Sequence, residues 1–337
     1  MKVGSFYKEL VLKRLIYLAI ALGLLLICLV VDIGLGPAKY SPSTIINAIF
    51  FNESNESIKV ILFDIRIPQA LMAIIAGAVL GLSGAIMQTI LANPLASPYT
   101  LGIGSAASFG AALGILLFDG AFFGISSLAF IFSTISILAI YFLSKRIFLG
   151  GSTIVLIGIV MVFIYQSLQA FVIYLANEIE VSSIVFWTFG SLSRATYLNC
   201  LILFIAFSIV LVIVLMKSWE LNALLLGDEK AQSLGVKTFK IKISMLVLIS
   251  FLTTICVCFV GTIGFVGLVG AHIARLIIGS EQRFFLVFSS LVGSLLLLIS
   301  SSISKSVIDG VVFPIGIITS LIGAIFFLSI LLKKGIK

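Results

Sequence analysis

The chain has 337 residues, of which 61% are hydrophobic and only 10% charged, with a formal net charge of +8 and a mean hydropathy of +1.31. Soluble domains carry about a quarter charged residues, so these values exclude a soluble globular protein and predict an all-α, polytopic membrane protein. No stretch is long and polar enough for a separate soluble domain, and residues 1–337 read as one transmembrane unit.

Positive charge marks the cytoplasmic loops of membrane proteins, so its placement matters more than its sum, and no nucleic-acid partner is expected. Lys8, Lys13 and Arg14 precede the first apolar run, Lys145 and Arg146 follow the fourth, Lys217 to Lys242 fill a central loop, and Lys333, Lys334 and Lys337 end the chain. The alternating loops hold Asp32, Glu53, Glu56, Asp119, Glu178, Glu180 and Asp309. This pattern predicts that both termini are cytoplasmic.

The first apolar run, Leu15 to Val31, starts like a signal peptide after Lys13-Arg14. It has the length of a full span and no small-x-small cleavage site follows, so a retained helix is expected. Cys28 lacks the small preceding residue of a lipidation box, and Cys200, Cys256 and Cys258 lie in apolar runs as expected buried thiols. Ten apolar segments follow in order, at roughly 13–31, 66–91, 100–118, 122–144, 153–176, 198–216, 241–261, 264–278, 284–304 and 314–332. The eighth is too short to span comfortably. The long outer loop from Asp32 to Lys59 includes Pro37, Pro42 and two Asn-x-Ser sequons, at Asn52 and Asn55, which matter only on a eukaryotic secretory route.

The stretch from Ile65 to Gly104 is the most informative. Gly77, Gly81 and Gly84 permit close helix approach in lipid. Pro94 and Pro98, four residues apart, then forbid a continuous helix. Irregular backbone at membrane depth has to be satisfied by protein or a water-filled path, so a packed pathway wall is expected. The run resembles the hallmark of the permease subunits of ABC importers for iron-siderophores, haem and cobalamin. The matching positions are Arg66, Pro68, Gly77, Gly84, Gln88, Asn93 to Ala96, Pro98, Leu101 and Gly102.

Between the fifth and sixth segments, Trp187 to Tyr197 is similar to the same family's Trp-x-x-Gly-Ser-Leu-Ser outer segment, with Arg194 as an unmatched addition. Arg66 and Arg194 are candidate outer-face contacts for an anionic substrate or for acids on a binding protein. Trp187, Tyr197 and Trp219 fit an interfacial aromatic belt.

The central loop, about 217–240, contains Glu220 to Val236. Its spacing predicts a short helix from Leu221 to Leu226 ended by a left-handed Gly227, then a second, from Glu229 to Leu234, capped by Asp228 and closed by Gly235. Two short helices joined by glycine make a compact knob. The pattern resembles the family's coupling element, which docks into a cleft on the ATPase, and the resemblance assigns that role to Leu226, Gly227, Asp228, Ala231, Leu234 and Gly235.

Glycines 261, 264, 267 and 270 form a stripe suited to tight packing or to an interrupted helix. The family has a very similar run, usually with a proline where this chain has Ala271, and the turn is expected to survive on its glycines. His272, the only histidine, cannot build a multi-histidine metal site and is expected to make a structural hydrogen bond near the inner interface. Gly84, Gln88, Asn93, Pro94, Gly261, Gly264 and Gly267 are the candidate pathway and packing residues. Gly84-Ala85-Ile86, Leu91 and Gly102 recur at one offset as Gly261-Thr262-Ile263, Leu268 and Gly279, a pattern expected of an inverted internal repeat. Pro314, Gly316, Thr319 and Gly323 resemble the family's start to the last helix, where they set packing.

Acids cluster in the loops rather than the spans, which counts against an ion-coupled carrier, and the converging catalytic groups of an intramembrane enzyme are missing. No Gly-x-x-x-x-Gly-Lys-Ser/Thr loop is present, so nucleotide has to bind another subunit. The resemblance therefore implies a non-enzymatic permease of about ten helices in a prokaryotic cytoplasmic membrane. It would pair with a second permease subunit, identical or paralogous, with two ABC ATPase subunits and with an extracellular or periplasmic substrate-binding protein. Iron-siderophore is the first expectation for cargo, with haem, cobalamin and molybdate-type oxyanions as alternatives; no metal or cofactor site is expected in the chain itself.

Overall fold

A computed structural model describes residues 2–38, 40–48, 56–118, 121–147, 151–308 and 310–335. The sequons at Asn52 and Asn55, with Glu53, Asp119, Asp309 and Lys337, lie outside the described residues. All ten apolar segments are helical: α1 (Lys2–Gly34), α4 (Ile67–Ile90), α5 (Ile103–Leu117), α6 (Phe122–Ile147), α7 (Gly151–Leu175), α9 (Tyr197–Met216), α12 (Thr238–Val260), α13 (Val266–Ile278), α14 (Gln282–Ser304) and α15 (Ile315–Gly335). Short helices α2 (Pro42–Ile46) and α3 (Glu56–Lys59) lie in the first long loop, α8 (Glu178–Thr188) follows α7, and α10 (Ser218–Leu224) and α11 (Asp228–Ser233) fill the central loop. Among the described residues seven helical stretches are long and apolar enough to cross a membrane, while α5, α13 and α15 are shorter apolar helices.

The centre of the bundle is α4, where every residue from Ala76 to Ile90 is buried. It packs against α14, α13, α12 and α9, and a second group, α5 to α8, joins through α12. Hydrocarbon tails are as apolar as leucine, so helices associate in lipid through close packing rather than by escaping water. Glycine supplies that closeness here. A Cβ on Gly77 would stand 2.6 Å from the Ser294 Cα, and one on Gly84 would stand 2.8 Å from the Gly267 Cα. Gly110 and Gly114 similarly seat α5 on α6, where added Cβ atoms would meet the backbone of Leu128 and Ile125. The outlying faces remain apolar and exposed, for example Ile27 and Val30 on α1, Phe163 and Phe171 on α7 and Ile209 and Met216 on α9. Such faces suit contact with lipid or with another membrane subunit.

The glycine stripe takes its interrupted-helix form: residues 261–264 are non-helical, and Gly267 and Gly270 lie on α13. Two expectations need correction. The proposed repeat does not share local backbone, because Gly84 is inside α4 whereas Gly261 (φ 72°) ends α12. The acids are not confined to loops. Asp32 lies in α1, fully buried, and is paired at 2.6 Å with Lys305 at the end of α14.

Candidate coupling knob and pathway breaks

The knob forms by local rules and is then fixed to the bundle. Glu220 lies in the first turn of α10 and is bridged to Lys217 at 2.7 Å. Gly227 (φ 95°) makes the turn between the helices and Gly235 (φ 85°) closes α11, its N–H donating to the Gln232 carbonyl at 2.8 Å. A Cβ at either glycine would touch nothing, so the requirement is the positive φ. Asp228 does not cap α11. The cap position is Gly227, and the Asp228 carboxylate reaches Lys242 of α12 at 2.6 Å instead. The competing partner is a full charge, which a carboxylate one residue into the helix can reach without leaving helical backbone.

Leu221 and Ala231 are fully buried beneath the knob, while Leu225, Leu226 and Leu234 stand exposed on it. The Asn222 Oδ1 accepts the Gln282 N–H at 2.9 Å, tying α10 to the first residue of α14. Thr89, at the end of α4, donates its hydroxyl to Gln282 Oε1 at 3.4 Å. The knob thus contacts the N-terminus of α14 and the C-terminus of α4, the two helices most tightly packed at the centre.

The non-helical breaks behave as the prolines and glycines predict, and they meet. After α4, Asn93 Oδ1 accepts the Leu95 N–H at 2.9 Å and Pro94 continues the turn, so the chain reverses without a free carboxamide oxygen. Pro98 leads a single 3₁₀ turn, Tyr99–Leu101, and Gly102 (φ 78°) starts α5. The Tyr99 hydroxyl accepts the Ile263 N–H at 2.7 Å, joining this break to the one after α12. Ser191 donates its N–H to the Val260 carbonyl at 2.8 Å, the Thr262 hydroxyl donates to the Thr188 carbonyl, and Gly316 donates to the Phe189 carbonyl at 3.0 Å. Backbone freed from four helices is satisfied by neighbouring breaks, as a low-dielectric interior requires. Phe265 (φ 66°) closes the α12–α13 break and packs over Gly323 of α15. Gly264 lies in the same break, where an added Cβ would meet the Ser320 hydroxyl only at van der Waals distance.

Gly84 and Gly267 come together at the α4–α13 crossing. One turn away, the Gln88 amide donates to the Leu268 carbonyl at 3.3 Å and its oxygen accepts from Arg275 Nη2 at 3.4 Å. His272 lies on the other side of α13, in edge contact with Phe326 and Phe327 at 5.9 Å each. Ala271 is buried inside α13 without a break, so the missing proline is not needed for the turn.

The two outer arginines separate. Arg66, at the end of a π-helical turn over Val60–Arg66, is 3% exposed and donates to the carbonyls of Ile33 and Gly34 at 3.1 Å and of Ala38 at 2.5 Å. Its donors hold the start of the first long loop, which removes it from the exposed face. Arg194 is half-buried and stacks over Trp187 at 6.0 Å. Trp187 is 2% exposed and so does not belong to an interfacial belt, whereas Tyr197 and Trp219 are exposed. Sequence reasoning missed Tyr99, Asn222, Gln282 and Lys305. Lys305 alone had a signal: it is a charged residue at the end of the apolar segment 284–304.

Comparison with known proteins follows the same lines. The chain is 35% identical to an ABC transporter permease protein of Methanocaldococcus jannaschii, over 99% of both chains. It is 35% identical to an iron chelatin transport system permease protein of Helicobacter pylori, over 85% of this chain and 87% of that one. A solved ABC transporter of metal-chelate type, in an inward-facing conformation, superposes with a TM-score of 0.83 at 30% identity, covering 95% of this chain and 99% of that one. The FecCD transport family matches residues 24–333, and this chain, a multi-pass helical membrane protein, belongs to that family.

Proposed function

We propose that the chain is the membrane-spanning subunit of an ABC importer, carrying a metal chelate, with iron-siderophore as first choice, across the cytoplasmic membrane. Haem, cobalamin and molybdate-type oxyanions are the alternative cargo. A second permease subunit completes the pathway, two ABC ATPase subunits supply the work, and an extracellular or periplasmic binding protein delivers the substrate. Lys13, Arg14, Lys217, Lys237, Lys240 and Arg283 lie at the knob end of the bundle, and Glu178 and Glu180 at the other, which supports cytoplasmic placement of the knob and both termini.

The observation that carries this reading is the knob. It exposes Leu225, Leu226 and Leu234 on a pair of short helices whose base is pinned to α14 and α12. Exposed apolar clusters on rigid supports mark protein–protein contacts. ATP binding and hydrolysis by the docked partner would bias inward-open against outward-open states, and the pinned base would carry that bias to α4 and α14.

Reconstitution with the ATPase and binding protein tests this. Leu226→Asp and Leu234→Asp are expected to reduce ATP-dependent uptake by roughly tenfold or more, the scale of losing an interface anchor, with the thermal unfolding midpoint unchanged. Asp228→Ala removes only a half-exposed ion pair, of about 1 kcal/mol or less, and is expected to leave uptake within about threefold of the parent. Normal uptake by both leucine variants would defeat the docking role of the knob, and uptake that persists without the ATPase and collapses with an ionophore would favour an ion-coupled carrier.

A further inference from the structure

The first N–H of α14 finds its acceptor in a distant part of the chain. Helices α8 and α9 are capped by the residues that precede them, Asn177 and Thr196, whose side-chain oxygens accept first-turn N–H groups. The residue before α14 is Glu281, in extended backbone, and its carboxylate makes no capping hydrogen bond. The N–H of Gln282, the first in the helix, goes instead to Asn222 Oδ1 of the knob at 2.9 Å. A carboxylate beside a helix N-terminus is normally drawn to the N–H groups there, so something holds Glu281 away.

Two arginines do so. Oε2 of Glu281 accepts from Arg14 Nη1 of α1 at 3.1 Å, and Oε1 accepts from Arg283 Nε at 2.7 Å. Bonds between full charges are stronger than those to a neutral N–H, so the carboxylate stays between the guanidinium groups. Arg283 Nη2 also donates to the Tyr7 hydroxyl at 3.1 Å, and the Arg14 guanidinium lies over the Phe284 ring at 5.2 Å. Tyr7 and Arg14 are two turns apart on one face of α1, and that face grips the α13–α14 turn at two points. The Arg14 and Glu281 side chains are each 21% exposed. Ion pairs this close to solvent add little stability, so the consequence of the clamp is where it puts the carboxylate.

We infer that Glu281 is a positioning residue for coupling: held by Arg14 and Arg283, it leaves the first N–H of α14 to Asn222 and so keeps the knob attached to that helix. The inference rests on the importer reading and adds α1 to its route. Gln282 is fully buried, and its side-chain oxygen accepts the Thr89 hydroxyl of α4 at 3.4 Å. Residues 281 and 282 therefore gather α1, α4, α14 and the knob at one turn. Movement of α10 reaches α14 through Asn222 while the clamp is closed. Once the carboxylate is released it competes with Asn222 for the same helix end, and the knob loses its hold.

The test follows amide hydrogen exchange in the full-length permease bound to its ATPase, with and without a non-hydrolysable ATP analogue. In the parent, nucleotide is expected to change exchange both on the knob and in the first turns of α14. Glu281→Gln removes the charge and one acceptor oxygen. It is expected to keep the response on the knob while the α14 response shrinks about fivefold or more, the lower end of coupling between sites. Arg14→Gln should act alike, and Arg14→Lys, which keeps a cation beside the carboxylate, should restore most of the response. In each variant, exchange elsewhere should match the parent. An undiminished α14 response in both Glu281→Gln and Arg14→Gln overturns the inference. A loss shared equally by the knob and α14 also overturns it, since that is general loosening. Nucleotide that changes nothing on the knob of the parent is a different failure: it defeats the importer reading, and this role with it.

Discussion

Asp32→Ala is expected to destabilise the protein by about 3–5 kcal/mol, the cost of leaving one member of a buried ion pair alone. Asp32 and Lys305 have side chains 0% and 4% exposed and meet at 2.6 Å, joining the end of α1 to the end of α14. The Lys305 ammonium also donates to the Asp32 carbonyl at 3.3 Å, and the Ser302 hydroxyl donates to the second carboxylate oxygen at 3.1 Å. The pair is therefore well satisfied, and removing the acid leaves a largely buried cation without its counter-charge. Removing both charges is a different experiment. The Asp32→Leu and Lys305→Met double variant eliminates the desolvation cost together with the attraction, and such replacements are often neutral or stabilising. Thermal unfolding in one detergent should therefore show a large fall for the single variant and a return to within about 1 kcal/mol of the parent for the double. A single variant as stable as the parent would mean that water solvates the lysine.

This pair also shows where reading the sequence stops. Asp32 follows an apolar run and precedes glycines and a proline, so it looks like the first residue of a loop; α1 instead continues to Gly34. Its partner is 273 positions away, a separation that no local pattern encodes. The same limit hid the contact between Tyr99 and Ile263, and the one between Asn222 and Gln282. Features set by local rules were legible: the ten apolar runs, the break at Pro94 and Pro98, and the positive φ at Gly227 and Gly235. Asp228 lies between the two cases. Its position beside a glycine suggests a cap, and only the approach of Lys242 from α12 shows that the carboxylate has another partner. Arg66 looked free for the same reason, since the carbonyls that accept its hydrogen bonds come from a different segment.

Gly84→Leu and Gly293→Leu are expected to damage the packing at the centre of the bundle, more so than any change on the knob. A Cβ at Gly84 would meet the Gly267 carbonyl group, and one at Gly293 would stand 2.9 Å from the Gly81 Cα. The obstacle is backbone in both cases, so rotamer adjustment cannot relieve it and the helices have to separate. Overpacking of this kind costs about 1–3 kcal/mol and occasionally more, and the upper end applies where two main chains already touch. Gly23→Leu is the control: nothing lies within 4 Å of the Gly23 Cβ position on α1, and leucine is the better helix former by roughly 1 kcal/mol. The control should fold as well as the parent, while the other two lose most folded material on size-exclusion chromatography. If Gly84→Leu elutes and unfolds like the parent, the α4–α13 crossing is looser than described. The Gln88 bonds to Leu268 and Arg275 would then have to hold the crossing, although at 3.3 and 3.4 Å they are long for that purpose.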